Sequence, residues 1–253
     1  MNKKWRFKGL AAGIGMLLCM LSVFAPSLGV AEQTQDQNET ALVNIEVSQH
    51  LPDGTLSSYR VWLTWQEVEH LRQELRDAAT LEDQHTVLVS AGVIPETASL
   101  IALQQGMQRA AERLGITEQQ YQLMKDNENI ILPPFLITAC TQTSAVFTGG
   151  NALRLGLSPF VMPISRTFDW LFNLLGIPAP RAIDALDLGW GLLATIHTAG
   201  PGGTHSLAMA GGMMCIGFVG YSLKFPFAMH VFHGFSVMTI AAGLGFHVYE
   251  PAG

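Results

Sequence analysis

Residues 188–249 read LGWGLLATIHTAGPGGTHSLAMAGGMMCIGFVGYSLKFPFAMHVFHGFSVMTIAAGLGFHVY, and the fold turns on how this stretch is understood. Its one charged side chain is Lys224. Apolar runs of about 8–10 residues alternate with glycine-rich breaks at 199–203, 211–212, 224–227 and 243–245, which is a strand-and-turn rhythm. At a period of two, Leu188, Trp190, Leu192, Ala194 and Ile196 share one face of a strand, and Met213, Cys215, Val219 and Tyr221 share one face of another. Both faces are nearly free of charge, so such a sheet must be buried on both sides or closed on itself. The competing reading is a pair of transmembrane helices over 207–223 and 227–247, which approach the roughly 20 residues that a span needs. Thr204, His205, His230, His233 and His247 put polar groups at or within those spans, so strands are the expectation.

Working outward, residues 131–253 carry 4 acidic and 4 basic side chains and 17 of the 25 glycines, whereas residues 32–130 carry 16 acids and 6 bases. A shift of that size marks a domain boundary or a change of solvent. Prolines 133, 134, 159, 163, 178, 180 and 201 cut the later half into short pieces, and residues 167–176 form a short aromatic helix around Trp170 and Phe172.

The earlier half has local signals. Two β-rich runs, 41–49 and 55–63, flank Pro52-Asp53-Gly54, which predicts a hairpin. Thr64 and Glu67 form a capping box ahead of a helix with the stripe Val68, Leu71 and Leu75. Thr80 and Asp83 open a second helix that Ile94-Pro95 ends. Residues 96–114 form a third, closed by Gly115, and Thr117 with Gln120 opens a fourth. The expected fold class is therefore α+β, an N-terminal β-hairpin with several short helices (41–130) followed by a C-terminal glycine-rich antiparallel β-sheet domain (131–253).

The leader has its own logic. Residues 1–8 carry Lys3, Lys4, Arg6 and Lys8 with no acid, residues 10–24 are uncharged and apolar, and Gly29-Val30-Ala31 supplies small residues. That order is a secretory signal peptide over 1–31, with a polar, flexible leader over 32–40. Cleavage takes the chain from 14 basic and 20 acidic side chains to 10 and 20, a net charge of −10. An acidic exported chain is a poor partner for nucleic acid, since affinity there comes from neutralising phosphates. The same acidity gives no electrostatic pull toward anionic lipid, so the expectation of a membrane or cell-surface partner does not rest on charge.

Candidate sites are few. Cys140 and Cys215 survive cleavage and are expected to pair outside the cytoplasm. Asn38-Glu39-Thr40 is a glycosylation acceptor pattern at Asn38. His197, His205, His230, His233 and His247 crowd the last part of the chain, and His197, His230, His233 and His247 are the metal-ligand candidates. His230 and His233 would share a helical face but take opposite faces of a strand. HExxH, paired CxxC, Walker and GxSxG motifs are absent, and Gly189-Trp190-Gly191 resembles a dinucleotide loop only in its glycines, because its context is a strand. No cofactor is expected. A structural or binding module is the leading reading. The alternatives are a membrane protein, or a hydrolase in which Cys140 or a histidine such as His197 or His205 meets Asp169, Asp184 or Asp187.

The signal reading makes a direct prediction: N-terminal sequencing of exported protein begins at or within a few residues of Glu32, and an intact Met1 on the mature protein contradicts it.

Overall fold

The computed structural model describes residues 41–78, 80–116, 129–132, 135–149, 151–156, 185–200, 203–226 and 229–251. The expected signal, leader, fourth helix and aromatic helix lie outside these residues. One antiparallel sheet of eight strands dominates, with three helices on it among the described residues.

The hairpin forms where the turn chemistry places it. Strands β1 (Leu42–His50) and β2 (Leu56–Thr64) pair in register from Leu42 opposite Thr64 to His50 opposite Leu56. Gly54 takes φ 85°, and the Asp53 carboxylate accepts from the Thr55 amide and hydroxyl at 2.9 and 2.7 Å, which holds its pKa below the ordinary value. Helix α1 (Trp65–Asp77) starts on the expected capping box: the Glu67 carboxylate accepts from the Thr64 amide at 2.7 Å, and the Glu67 amide donates to the Thr64 hydroxyl. Val68, Leu71 and Leu75 are all buried. Helix α2 (Leu81–Ser90) is capped by Thr80, whose hydroxyl accepts from the Asp83 amide. It ends earlier than Ile94-Pro95 suggested: Gly92 at φ 67° turns the chain, and the Val93 and Ile94 amides return to the Leu88 carbonyl. Helix α3 (Leu100–Arg113) is followed by Gly115 at φ 72°.

The remaining strands are β3 (Asn129–Leu132), β4 (Phe135–Gly149), β5 (Asn151–Gly156), β6 (Ala185–Gly200), β7 (Gly203–Phe225) and β8 (Met229–Pro251). The segments that competed as transmembrane helices are β7 and β8, and no described helix is long and apolar enough to cross a membrane. The sheet runs β2-β1-β7-β8-β4-β6-β5, and an added β6–β7 pairing joins β7, β8, β4 and β6 into a closed ring. The compositional boundary at residue 130 does not interrupt it, because β1 pairs with β7 from Glu46 opposite Lys224 to His50 opposite Gly220.

Two cores result. All four ring strands contribute to one of them: Ala145 and Phe147, Ala194 and Ile196, Met213, Cys215 and Phe218, and Phe232 with Ala241. The other lies between the helices and the sheet, where Leu71, Leu88, Met107 and Leu114 meet Val219, Leu223, Val231 and Val237. Thus the apolar sheet hides one face inside the ring and much of the other under the helices.

Two expectations about glycine need correction. Strand β7 runs through Gly211-Gly212 and β8 through Gly243–Gly245 without turning, because Gly191, Gly211 and Gly243 lie opposite one another on three adjacent strands. Glycine here sits within the ladder rather than at a reversal of the chain. Nor do Met213, Cys215, Val219 and Tyr221 share a face: the first two point into the ring core and the last two toward the helices. The alternation slips at Gly217, which sits at φ 65°. A register shift between Gly191 and Ala194 separates the two halves of β6 in the same manner, so Leu188 and Trp190 do not share the inward face of Ala194 and Ile196.

Gly217 and Gly92 give a paired test. A Cβ at Gly217 would lie 2.7 Å from Val237 Cγ2 and 2.8 Å from Leu114 Cδ1, whereas one at Gly92 meets nothing within 4 Å. Gly92→Ala then costs only the left-handed backbone, about 1–2 kcal/mol. Gly217→Ala adds overpacking and is expected to cost about 2–4 kcal/mol in urea unfolding. Equal losses would contradict the face-switching role.

Candidate active site

The His50 side chain is 2% exposed at the end of β1. Antiparallel pairing sets Ser48 opposite Ser222 and His50 opposite Gly220, so His50 and Ser222 lie on one face, diagonally adjacent. His50 Nε2 is 2.9 Å from Ser222 Oγ, and His50 Nδ1 is 3.4 Å from Asp187 Oδ1 on β6. The second distance is that of an ion pair rather than a short hydrogen bond, a contact that strengthens when the ring gains a proton. Asp187 is 1% exposed and Ser222 is half-buried. The His50 ring stands edge-on to Phe218 at 5.0 Å, and Phe218 meets Phe232, which meets Phe147, so apolar rings hold the imidazole from the ring-core side.

This arrangement matches the chemical need of a serine nucleophile. In the tautomer with the proton on Nδ1, beside the Asp187 carboxylate, Nε2 carries the lone pair that accepts the Ser222 hydroxyl proton. The carboxylate stabilises the imidazolium that forms. Asp187 was one of three carboxylates, with Asp169 and Asp184, that the sequence offered to a hydrolase. His50 and Ser222 were not among the candidates: three strands deliver the three groups from widely separated parts of the chain, and no local motif marks them.

The other candidates go elsewhere. Cys215 is a free, buried thiol, and the expected Cys140–Cys215 bridge is not made. Both cysteines register against Thr239 of β8, so that strand lies between them. Two strand spacings are about 9.5 Å, beyond the roughly 7 Å a disulfide spans. Burial pushes the Cys215 thiol up to about 12, and the Asp187 carboxylate opposite it adds to the effect. The side chain of Cys140, and those of His205 and His247, lie outside the described residues, as do Asn38, Asp169 and Asp184. His197 Nδ1 is 2.9 Å from Ser206 Oγ. Val146 of β4 pairs with His197 on one side and His233 on the other, so a strand separates those two imidazoles. His230 faces Lys224 and His233 faces helix α2. Among the described residues no three histidine, cysteine or acidic side chains gather to hold a metal ion.

His233 has a different partner. Its Nε2 is 3.0 Å from His85 Nδ1, with the rings stacked at 5.3 Å, and His85 Nε2 is 3.2 Å from the Ala98 carbonyl. A carbonyl only accepts, so His85 carries its proton on Nε2 and receives one from His233 Nε2–H. The bare His233 Nδ1 is then buried without a hydrogen-bond partner. Burial, with His85 beside it, lowers the His233 pKa from 6.5 to about 3.

A pH dependence of stability follows. Folded His233 stays neutral down to about pH 3, while the unfolded chain protonates it below 6.5. The unfolded state binds more protons in that window, so stability is full above pH 6.5 and falls as pH drops through it. The slope is up to about 1.4 kcal/mol per pH unit. Urea unfolding of wild type and His233→Gln between pH 7.5 and 4.5 should give a flatter profile for the variant. Parallel profiles would remove His233 as the cause.

No protein family, curated protein or solved structure matches the chain, so its own geometry carries the functional reading.

Proposed function

We propose that the protein is an exported serine hydrolase acting by acyl transfer, with Ser222 as nucleophile, His50 as general base and acid, and Asp187 as the group that orients His50. The observation that carries this reading is the chain of contacts Ser222 Oγ to His50 Nε2 at 2.9 Å and His50 Nδ1 to Asp187 Oδ1 at 3.4 Å. In the first half-reaction Ser222 Oγ bonds to the substrate carbonyl carbon and its proton passes to His50 Nε2. Collapse breaks the bond to the leaving group, which takes that proton. Water repeats the cycle in reverse roles, releasing the acid and restoring the Ser222 hydroxyl. The nucleophile of this reading is a serine rather than Cys140.

Access supports the same reading. Ser222 lies where the sheet passes from buried to open: His50 is buried, Ser48 and Ser222 are half-buried, and Ser58 and Arg60 on the same face are exposed.

A second reading has its own support. The outer face of the hairpin exposes Leu42, Leu56 and Trp62 at 66, 48 and 57%, a surface suited to a cell-surface or membrane partner. On that reading the protein is a binding or structural module, and the His50–Asp187 pair only fastens β1 to the ring.

A fluorophosphonate probe separates the two. The hydrolase is labelled at Ser222, and Ser222→Ala abolishes labelling and lowers ester hydrolysis by about a thousandfold or more. Hydrolysis and labelling that survive Ser222→Ala in a folded protein overturn the assignment, and absence of both in wild type favours the binding module.

A further inference from the structure

The open face beside Ser222 is ordered by strand register. Directly opposed residues point to the same side, and so do residues two apart on a strand. One row across three strands is therefore Ser58, Ser48 and Ser222. The next row outward is Arg60, Glu46 and Lys224, and it continues onto β8 as His230. Successive rows on one face are about 6.7 Å apart, so Lys224 lies within a side chain's reach of a group bound at Ser222, while Arg60, two strand spacings further across, lies about 12 Å from it.

The charges in that row are unequal. Arg60, Glu46 and Lys224 are all exposed, and two cations flank one acid on a chain whose formal net charge is −6. His230 samples the field from the inner end of the row. Burial lowers its pKa from 6.5 to about 4, and the remaining influences rank Lys224, which lowers it further, above Glu46, which raises it. Neutral His230 leaves the row with an excess of one positive charge at neutral pH. A basic island of this kind on an acidic surface draws an anionic ligand.

We propose that the substrate is an anionic ester whose negative group lies against Lys224 while its acyl carbon meets Ser222. This inference rests on the hydrolase reading and adds the substrate class. Lys224 acts in binding, and Arg60 adds to the positive field from two strands away. The negative group belongs to the acyl part or the leaving part, about one row from the scissile bond.

The test uses two esters of equal acyl length, p-nitrophenyl pentanoate and mono-p-nitrophenyl glutarate, the second bearing a carboxylate. The readout is the ratio of kcat/KM for the anionic over the neutral ester. A pairing at an exposed site is worth up to about fivefold, so Lys224→Ala should lower the ratio by up to about fivefold and Lys224→Glu should lower it further. Lys224→Arg should retain it, and added salt should compress the wild-type ratio. A ratio unmoved by Lys224→Ala and Lys224→Glu, with both esters still lost in Ser222→Ala, overturns the anionic-substrate inference and leaves the hydrolase. Wild type that cleaves neither ester overturns the hydrolase reading and this inference with it.

Discussion

A sheet with almost no charge on either face has to hide both faces, and the architecture follows from that requirement. Strands β4, β6, β7 and β8 close on one another around Phe147, Phe218 and Phe232. The N-terminal helices and hairpin then cover the outer side of β7 and β8 with Leu71, Leu88, Met107 and Leu114. Each half of the chain therefore supplies part of the other's core, so burial of apolar area, the main favourable term in folding, is shared between them. A ring also removes sheet edges, which an apolar sheet would otherwise offer to other chains. Among the described strands the exceptions are β2, β3 and β5, each paired along one side.

Closure has a geometric consequence. A strand that must face the ring core along one part and the helices along another has to lose its strict alternation, and glycine is the residue that permits this. Gly217 does so in β7, and the irregularity between Gly191 and Ala194 does so in β6. Elsewhere glycine admits a neighbour: a Cβ at Gly189 would lie 2.8 Å from the Phe147 ring, and Cβ atoms at Gly220 and Gly234 would each meet backbone at 2.4 Å. Of the two glycines that resembled a dinucleotide loop, Gly189 thus makes room for the Phe147 ring of β4.

What could be read in advance depended on range. The Pro52-Asp53-Gly54 hairpin and the caps at Thr64 and Thr80 are local, since a few neighbouring residues supply every group involved. The strand character of 188–249 was also legible, because charge depletion and glycine spacing act within the segment. Closure of the ring was open to reading only as one of two ways to bury the faces. The lengths of β7 and β8 were misread because a glycine pair looks the same whether it turns a chain or lets strands approach. The site was least legible. Asp187 was one of three candidate carboxylates, but His50 and Ser222 acquire meaning only through the β1–β7 pairing, and His85 meets His233 only because helix α2 crosses β8. Both buried polar contacts join the N-terminal half to the ring. Such contacts add specificity of arrangement, since a slipped register would leave a carboxylate or an imidazole buried without its partner.

The account stands on the closed ring, and the shortest part of that ring is the seam where Val146, Phe147 and Thr148 pair with His197, Ile196 and Thr195. Amide hydrogen exchange read residue by residue by NMR tests it directly. The closed ring predicts that seam amides turned toward the partner strand exchange as slowly as those between β7 and β8, because opening the seam would expose the core around Phe147. Rapid exchange at Val146–Thr148 and Thr195–His197, with protection retained between β7 and β8, would show an open sheet and contradict the account.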